Sequence, residues 1–462
     1  MNLPIKQILE QSGEPEKALQ DFEEFLLAYK NETGESFQPE SSQAKKLLTL
    51  FGNSHFLGRF LVQHPREADE VIQSPYLENE KLLKNFQDDL SQLCSDLSQI
   101  SEKDFGKKIR LYKYSEFLRL TVKDLSQSGS MESILNELSF LAISVIQISY
   151  EYFFQQLSQE FGKPFIFENE KKVKSCGFNV IAQGKLGGNE LNYSSDVDLQ
   201  YIYESEGKTD SITNHEFYVK LAKKITHFLS EKTEDNFLYR VDLNLRPEGK
   251  SGALANSLSA LEYYYETFGA EWERQALIKA TPIAGDLTLG NDFKKLIDPF
   301  VWRKSLDLKS IENFKEMKSK LHDSIKKSSA QGFNVKLGEG GIREIEFFVQ
   351  ILQLLYGGKH SEIQIASTLQ TIQQLEKLNL IKPQEALQLK DSYLFLRKVE
   401  HRLQLVHESQ THLIPPGKIE QQAIARRMGY FGEDLEESRE RFLEDLSRYT
   451  TMVKTIFQSL FA

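Results

Sequence analysis

The chain has 462 residues, enough for about three domains at roughly 100–200 residues each. Its 57 Lys+Arg against 67 Asp+Glu leave a net charge of −10, and an acidic surface of that kind repels the phosphates of nucleic acid. A hydrophobic share of 40%, with 31 Phe and 18 Tyr, supplies several buried cores and excludes a wholly disordered chain.

Two cysteines, Cys94 and Cys176, cannot build a disulfide framework, and no Cys/His spacing suggests structural zinc. The N-terminus carries no signal-peptide pattern. The most apolar stretch, Phe140 to Ile148, is broken by Ser144 and Gln147 and reads as too short to span a bilayer. A soluble, cytoplasmic protein with no membrane partner is expected.

In chain order, Pro4 to about Lys163 carries a helical period. Ala18, Phe22, Phe25 and Leu26 recur at helical spacing, and Asn31 to Ser42 reads as a loop. Ser54 is placed to cap a helix that stops before Pro65. Ser133 to Leu157 is apolar almost all round, the mark of a buried bundle helix. The period then changes to that of strands. Cys176 to Gln183 is followed by a glycine-rich stretch, Gly184-Lys185-Leu186-Gly187-Gly188, and by a second strand, Val197 to Tyr203. A helix is predicted from Glu216 to Glu231 and a third strand from Phe237 to Leu245. From Leu258 to Phe461 the chain is mostly helical, including Ile342–Tyr356, Glu385–His407 and Glu436–Phe457. The fold class is therefore α+β and mostly helical, with a small mixed sheet between two helical regions.

Asp196 and Asp198 bracket Val197, so both carboxylates point to one face of a strand, about 6–7 Å apart at Cα. Carboxylates this close repel unless a cation lies between them, and hard oxygen ligands suit Mg²⁺. Asp242, on the third strand, supplies a third carboxylate, a set able to hold two ions for an in-line phosphoryl displacement. Gly184, Gly187 and Gly188 allow close backbone approach to phosphate, and Asn189 to Asn192 is expected to open a short helix whose amides face an anion. No Walker A and no GxGxxG is present. Arg246 shares the face of Asp242 and is a candidate phosphate ligand, with Lys279 a weaker one. Arg343, Glu346 and Gln350 lie along one polar helix face. His401 and His407 read as ordinary bundle residues, and Trp272 as core.

Gly184-Lys185-Leu186-Gly187-Gly188-Asn189-Glu190-Leu191-Asn192-Tyr193-Ser194-Ser195-Asp196-Val197-Asp198 closely resembles the signature of the glutamine synthetase adenylyltransferase/adenylyl-removing family. The resemblance continues through Val241–Pro247, Glu271–Ala280, Gly340–Phe347 and Phe395–Leu403, and more weakly at Phe56–Leu61. It implies a nucleotidyltransferase (polymerase-β-like) core at 166–290, between an N-terminal helical region at 1–165 and a C-terminal helical bundle at 291–462. It also implies that Ser195 joins Gly184, Gly187, Gly188 and Arg246 in binding nucleotide or phosphate, and that Arg343 and Glu346 face the active cleft.

Members of this family carry two such units in tandem, one attaching AMP to a tyrosine of glutamine synthetase and one removing it. One unit is present here. Ile342-Arg343-Glu344-Ile345-Glu346 resembles the removing, N-terminal half. The resemblance thus implies phosphorolysis: phosphate in, ADP out, with Mg²⁺ on Asp196, Asp198 and Asp242. It further implies adenylylated glutamine synthetase as substrate and a PII signal protein as regulator. ATP-dependent adenylylation at the same site, or a silent docking module, are the alternative expectations.

Overall fold

The computed structural model describes residues 3–38, 41–234, 236–304 and 332–460. The parts of the expected C-terminal bundle at 305–331 and 461–462 lie outside the described residues. Among the described residues eight α-helices open the fold: α1 (Leu3–Glu10), α2 (Pro15–Thr33), α3 (Ser42–Leu48), α4 (His55–Gln63), α5 (Glu67–Gln73), α6 (Leu83–Leu93), α7 (Glu102–Leu125) and α8 (Met131–Phe161). Ser54 caps α4 as expected, its hydroxyl accepting from the Leu57 amide at 3.3 Å. The stretch read as too short for a membrane lies inside α8, which by length and composition alone is long enough to cross one. Two-thirds of its apolar window, 67%, is buried within the fold.

The middle of the chain begins with a hairpin, β1 (Phe165–Glu168) and β2 (Lys171–Ser175), which the sequence reading missed. Then follow β3 (Phe178–Gln183), a single helical turn α9 (Gly184–Gly187), β4 (Val197–Tyr203), α10 (Asn214–Ser230), β5 (Val241–Asp242), β6 (Ala255–Ser257), α11 (Leu258–Thr267), α12 (Glu271–Leu277), β7 (Thr281–Gly285) and α13 (Leu287–Val301). A capping box starts α10: Thr213 Oγ1 accepts from the Glu216 amide, and the Glu216 carboxylate accepts from the Thr213 amide. The last part holds β8 (Phe333–Asn334), α14 (Ile342–Tyr356), α15 (Thr368–Lys377), α16 (Pro383–Gln404), β9 (Leu413–Ile414), α17 (Lys418–Arg427) and α18 (Leu435–Ser459).

The central sheet is mixed. β3 pairs antiparallel with both β4 and β7, while β4 pairs parallel with β5 at its start and with β6 at its end. Both faces are covered. Val180, Ala182, Leu199, Tyr201 and Tyr203 join the core of the N-terminal helices and α10. Ile181 and Ile202 join a second core built with α11, α13 and the helices from α14 onward. Every residue of β3 is therefore buried, although its sequence alternates.

The predicted strand Phe237–Leu245 is cut to two residues. The amides of Leu238 and Tyr239 both donate to the Leu229 carbonyl, tying this stretch to the end of α10. Just after β5, Asp242 Oδ1 accepts from the Asn244 amide at 2.7 Å, turning the chain away from the sheet. Asn244 and Arg246 therefore do not share the strand face of Asp242.

Candidate active site

Register brings the two central acids together. β4 and β5 pair with Val197 opposite Val241 and Asp198 opposite Asp242, so both carboxylates leave the same face of strands about 4.8 Å apart. Asp196 lies just before β4. Its Oδ1 accepts from Arg240 Nε at 2.7 Å and its Oδ2 from Gln410 Nε2 at 3.1 Å. Burial pushes the Asp198 carboxyl up, Asp242 and Asp196 push it further, and it stands at about 6 despite Lys336 and Lys185. Gly184 lies against this group with φ +56°, and a Cβ there would meet Asp198 Oδ2, so a side chain at this place would push the carboxylate aside.

These acids line a polar cavity of about 260 Å³, with Gly184, Ser195, Arg343 and Glu346 also in its wall. Lys185 Nζ meets Glu346 Oε1 at 3.3 Å, and Arg343 lies 4.0 Å from the same carboxylate. Burial would raise the Glu346 carboxyl, but Lys185, Lys279 and Arg343 outweigh it and hold it at about 2. Lys279 Nζ is bound to Glu190 Oε2 at 2.6 Å.

Lys336 is the cavity cation without a partner: its side chain makes no ion pair or hydrogen bond among the described residues. Its backbone is fixed on both sides. Asn334 Oδ1 accepts from the Lys336 amide at 3.0 Å, and the Lys336 carbonyl accepts from the Arg343 amide at 3.0 Å.

Three expected ligands are elsewhere. A Cβ on Gly187 would strike the Lys279 carbonyl, and one on Gly188 would come 2.9 Å from the Ala366 carbonyl, so these glycines serve close packing away from the acids. Asn189 to Asn192 form no helix. The Asn189 and Glu190 amides donate to Leu186 and Lys185 carbonyls, and the Leu191 amide to Ser139 Oγ, which leaves none of the three for an anion. Arg246 spends its guanidinium on the Leu243, Lys250 and Gly252 carbonyls, fastening the turn after β5. Trp272 is 45% exposed and is not core. Lys336, Gln410 and His412 line the cavity unannounced, because turns far along the chain deliver them. Lys185 was legible, lying inside the glycine motif.

Among the described residues no group of three acidic, imidazole or thiol side chains is placed to grip one metal ion. The donor set that suits a hard cation is the pair Asp198 and Asp242, since Asp196 is engaged by Arg240. The raised Asp198 carboxyl marks this pair as short of positive charge.

Residues 44–296 match the family described as glutamate-ammonia ligase adenylyltransferase, and residues 313–461 match one described as PII-uridylyltransferase. Relatives named bifunctional glutamine synthetase adenylyltransferase/adenylyl-removing enzyme include one from Nitrosomonas europaea, 36% identical over 92% of this chain and 45% of its own length. Another, from Hahella chejuensis, is 34% identical over 86% of this chain and 41% of its own. A third, from Pasteurella multocida, is 33% identical over 89% and 42%. The chain thus spans less than half the length of these relatives. With a first family match covering more than half of its residues, the chain belongs to the glutamate-ammonia ligase adenylyltransferase family.

Proposed function

We propose that this unit removes AMP from a tyrosine of adenylylated glutamine synthetase by phosphorolysis. Phosphate oxygen attacks the α-phosphorus, the bond from phosphorus to the tyrosine oxygen breaks, and ADP and free tyrosine leave. The observation that carries this reading is one polar cavity that holds the acid pair Asp198–Asp242 together with the Arg343 guanidinium and the Lys336 ammonium, which has no partner among the described residues. Such a cavity draws an anion to its cations and a cation to its acids.

Lys336 and Arg343 bind and orient the incoming phosphate. Lys185 and Glu346 hold each other in place beside them. Arg240 and Gln410 fix Asp196 at the rim. Asp198 and Asp242 would hold Mg²⁺, which supplies charge neutralisation between the two anions and for the departing phenolate, whose parent phenol has a pKa of about 10. Catalysis then rests on positioning and electrostatics. The match of 313–461 supports a PII signal protein as the regulator. A cytoplasmic location follows from that substrate.

The names of the relatives include both directions, so ATP-dependent adenylylation at the same acids is the second reading. Incubation with adenylylated glutamine synthetase, Mg²⁺ and phosphate separates them. Release of ADP is expected. AMP incorporation from ATP into unmodified synthetase, without ADP release from the adenylylated form, overturns the removing direction.

A further inference from the structure

A second cavity, about 390 Å³, lies between α4, α7 and the segment leading into β5 and shares no lining residue with the first. Its floor is aromatic: Phe56 and Phe60 lie against Tyr114, with ring centroids 5.1 and 5.8 Å away. Its rim is cationic or ionisable, with Arg59, His64 and Lys107. Arg59 and Lys107 make no ion pair or hydrogen bond among the described residues, whereas Arg110 beside them donates to the Asn236 and Glu231 carbonyls. Among the described residues Glu234 is the lone acid in the lining. The volume falls within the usual range for small-molecule sites, roughly 300–1,000 Å³.

The chemistry selects a class of ligand. A flat ring packs on the Phe56–Phe60–Tyr114 floor by offset or edge contacts. An attached carboxylate, sulfonate or phosphate meets Arg59 and Lys107 at the mouth. An inorganic anion leaves the floor uncovered, and a metal cation is repelled by the rim.

The floor is also wired to the acids. Tyr114 Oη donates to the Phe237 carbonyl at 2.8 Å and lies 3.5 Å from Glu408 Oε2. That carboxylate accepts from Asn236 Nδ2 at 2.9 Å and pairs with buried Lys113 at 3.0 Å. The Glu408 carbonyl accepts from Ser194 Oγ at 3.0 Å. Arg240 then joins the Ser194 carbonyl to Asp196 Oδ1. Asn236, which lines the second cavity, is therefore linked to the first through Glu408, Ser194 and Arg240, by hydrogen bonds joined through the frames of Glu408 and Ser194.

We propose that this cavity is an effector site for a small organic anion bearing a flat apolar ring, and that its occupancy is transmitted to Asp196 through Glu408. Binding does not depend on the direction, or even the existence, of the reaction proposed above. The probe is 8-anilinonaphthalene-1-sulfonate, with the uncharged N-phenyl-1-naphthylamine as its ring-matched control. Both are titrated by fluorescence against the full chain and the exposed-site variants Arg59→Glu and Leu111→Glu, with thermal melts confirming that each variant is folded.

Saturable binding of the sulfonate is expected. Arg59→Glu should weaken it at least fivefold while leaving the neutral control within twofold, and Leu111→Glu should weaken both. Equal sulfonate affinity in all three proteins overturns the site, and equal sensitivity of the neutral probe to Arg59→Glu overturns the anionic class. Saturation with the sulfonate should also slow amide hydrogen exchange at least threefold in 192–198 and 404–410. Unchanged exchange there overturns the transmission to Asp196.

Discussion

Asp124, near the C-terminus of α7, and Asp198, at the start of β4, are both withdrawn from water, and burial alone pushes each carboxyl up. Their neighbours then separate them. Arg402 grips Asp124 with two hydrogen bonds of 2.7 Å and His401 adds a weaker contact, so the carboxyl is held well below its ordinary value. Asp198 meets two more carboxylates and no ion-pair partner among the described residues, and it rises to about 6. The first arrangement joins α7 to α16 across the molecule and is complete without any ligand. The second is incomplete and opens on a cavity, and a shifted group in a cleft is a candidate for function.

The sharpest test of this contrast is Asp198→Asn. It should cut ADP release by about 10³-fold or more and leave the protein folded and at least as stable, because it relieves repulsion among three acids. Turnover near the parent level would mean that the acid pair is not the working centre. Asp124→Asn should do the reverse, since it strands the buried Arg402 guanidinium. A loss of about 3–5 kcal/mol in urea unfolding is expected. A loss under 1 kcal/mol would show that the pair contributes no specific hold between α7 and α16.

The sequence carried unequal amounts of these two features. Helix α14 was legible to the residue because Gly340-Gly341 punctuates its start and its apolar stripe is regular. β4 was equally clear, and Asp196, Asp198 and Asp242 could be chosen from spacing and motif alone. The third strand was overextended because alternation in Tyr239–Leu245 says nothing of the Leu229 carbonyl or the Asp242 side chain that bend the backbone at either end. Arg246 looked like a phosphate ligand for the same reason. Asp124 was invisible as a staple, because its partner Arg402 lies 278 residues away. Lys336 was missed because its place in the cavity depends on the turn between β8 and α14.

A smaller effect links pH to stability through Asp198 itself. Its folded-state pKa of about 6 lies above the ordinary 3.8, so the folded chain holds this proton more tightly than the unfolded one. The stabilisation is fully present below about pH 4 and is lost as pH rises through about 6. Up to about 2–3 kcal/mol is at stake, at ~1.36 kcal/mol per pKa unit. Mg²⁺ should therefore raise the melting temperature at pH 8 and have little effect at pH 5. In Asp198→Asn the Mg²⁺ response at pH 8 should vanish. A Mg²⁺ shift that is equal at both pH values, or retained in the variant, would place the cation elsewhere.

Lys336 gives the smallest effect and the cleanest separation of working from holding charge. Its side chain has no ion-pair partner among the described residues, so Lys336→Ala should leave the melting temperature within a degree or two. It should raise KM for phosphate about tenfold, the equivalent of about 1.4 kcal/mol, with a lesser change in kcat. Lys336→Arg, which keeps the charge, should recover most of that loss. Lys185→Ala is the counterpart: it leaves the buried Glu346 without its 3.3 Å partner, so stability and turnover should fall together. If Lys336→Ala destabilises the fold as Lys185→Ala does, Lys336 belongs to the structural set with Asp124, and the anion wall reduces to Arg343.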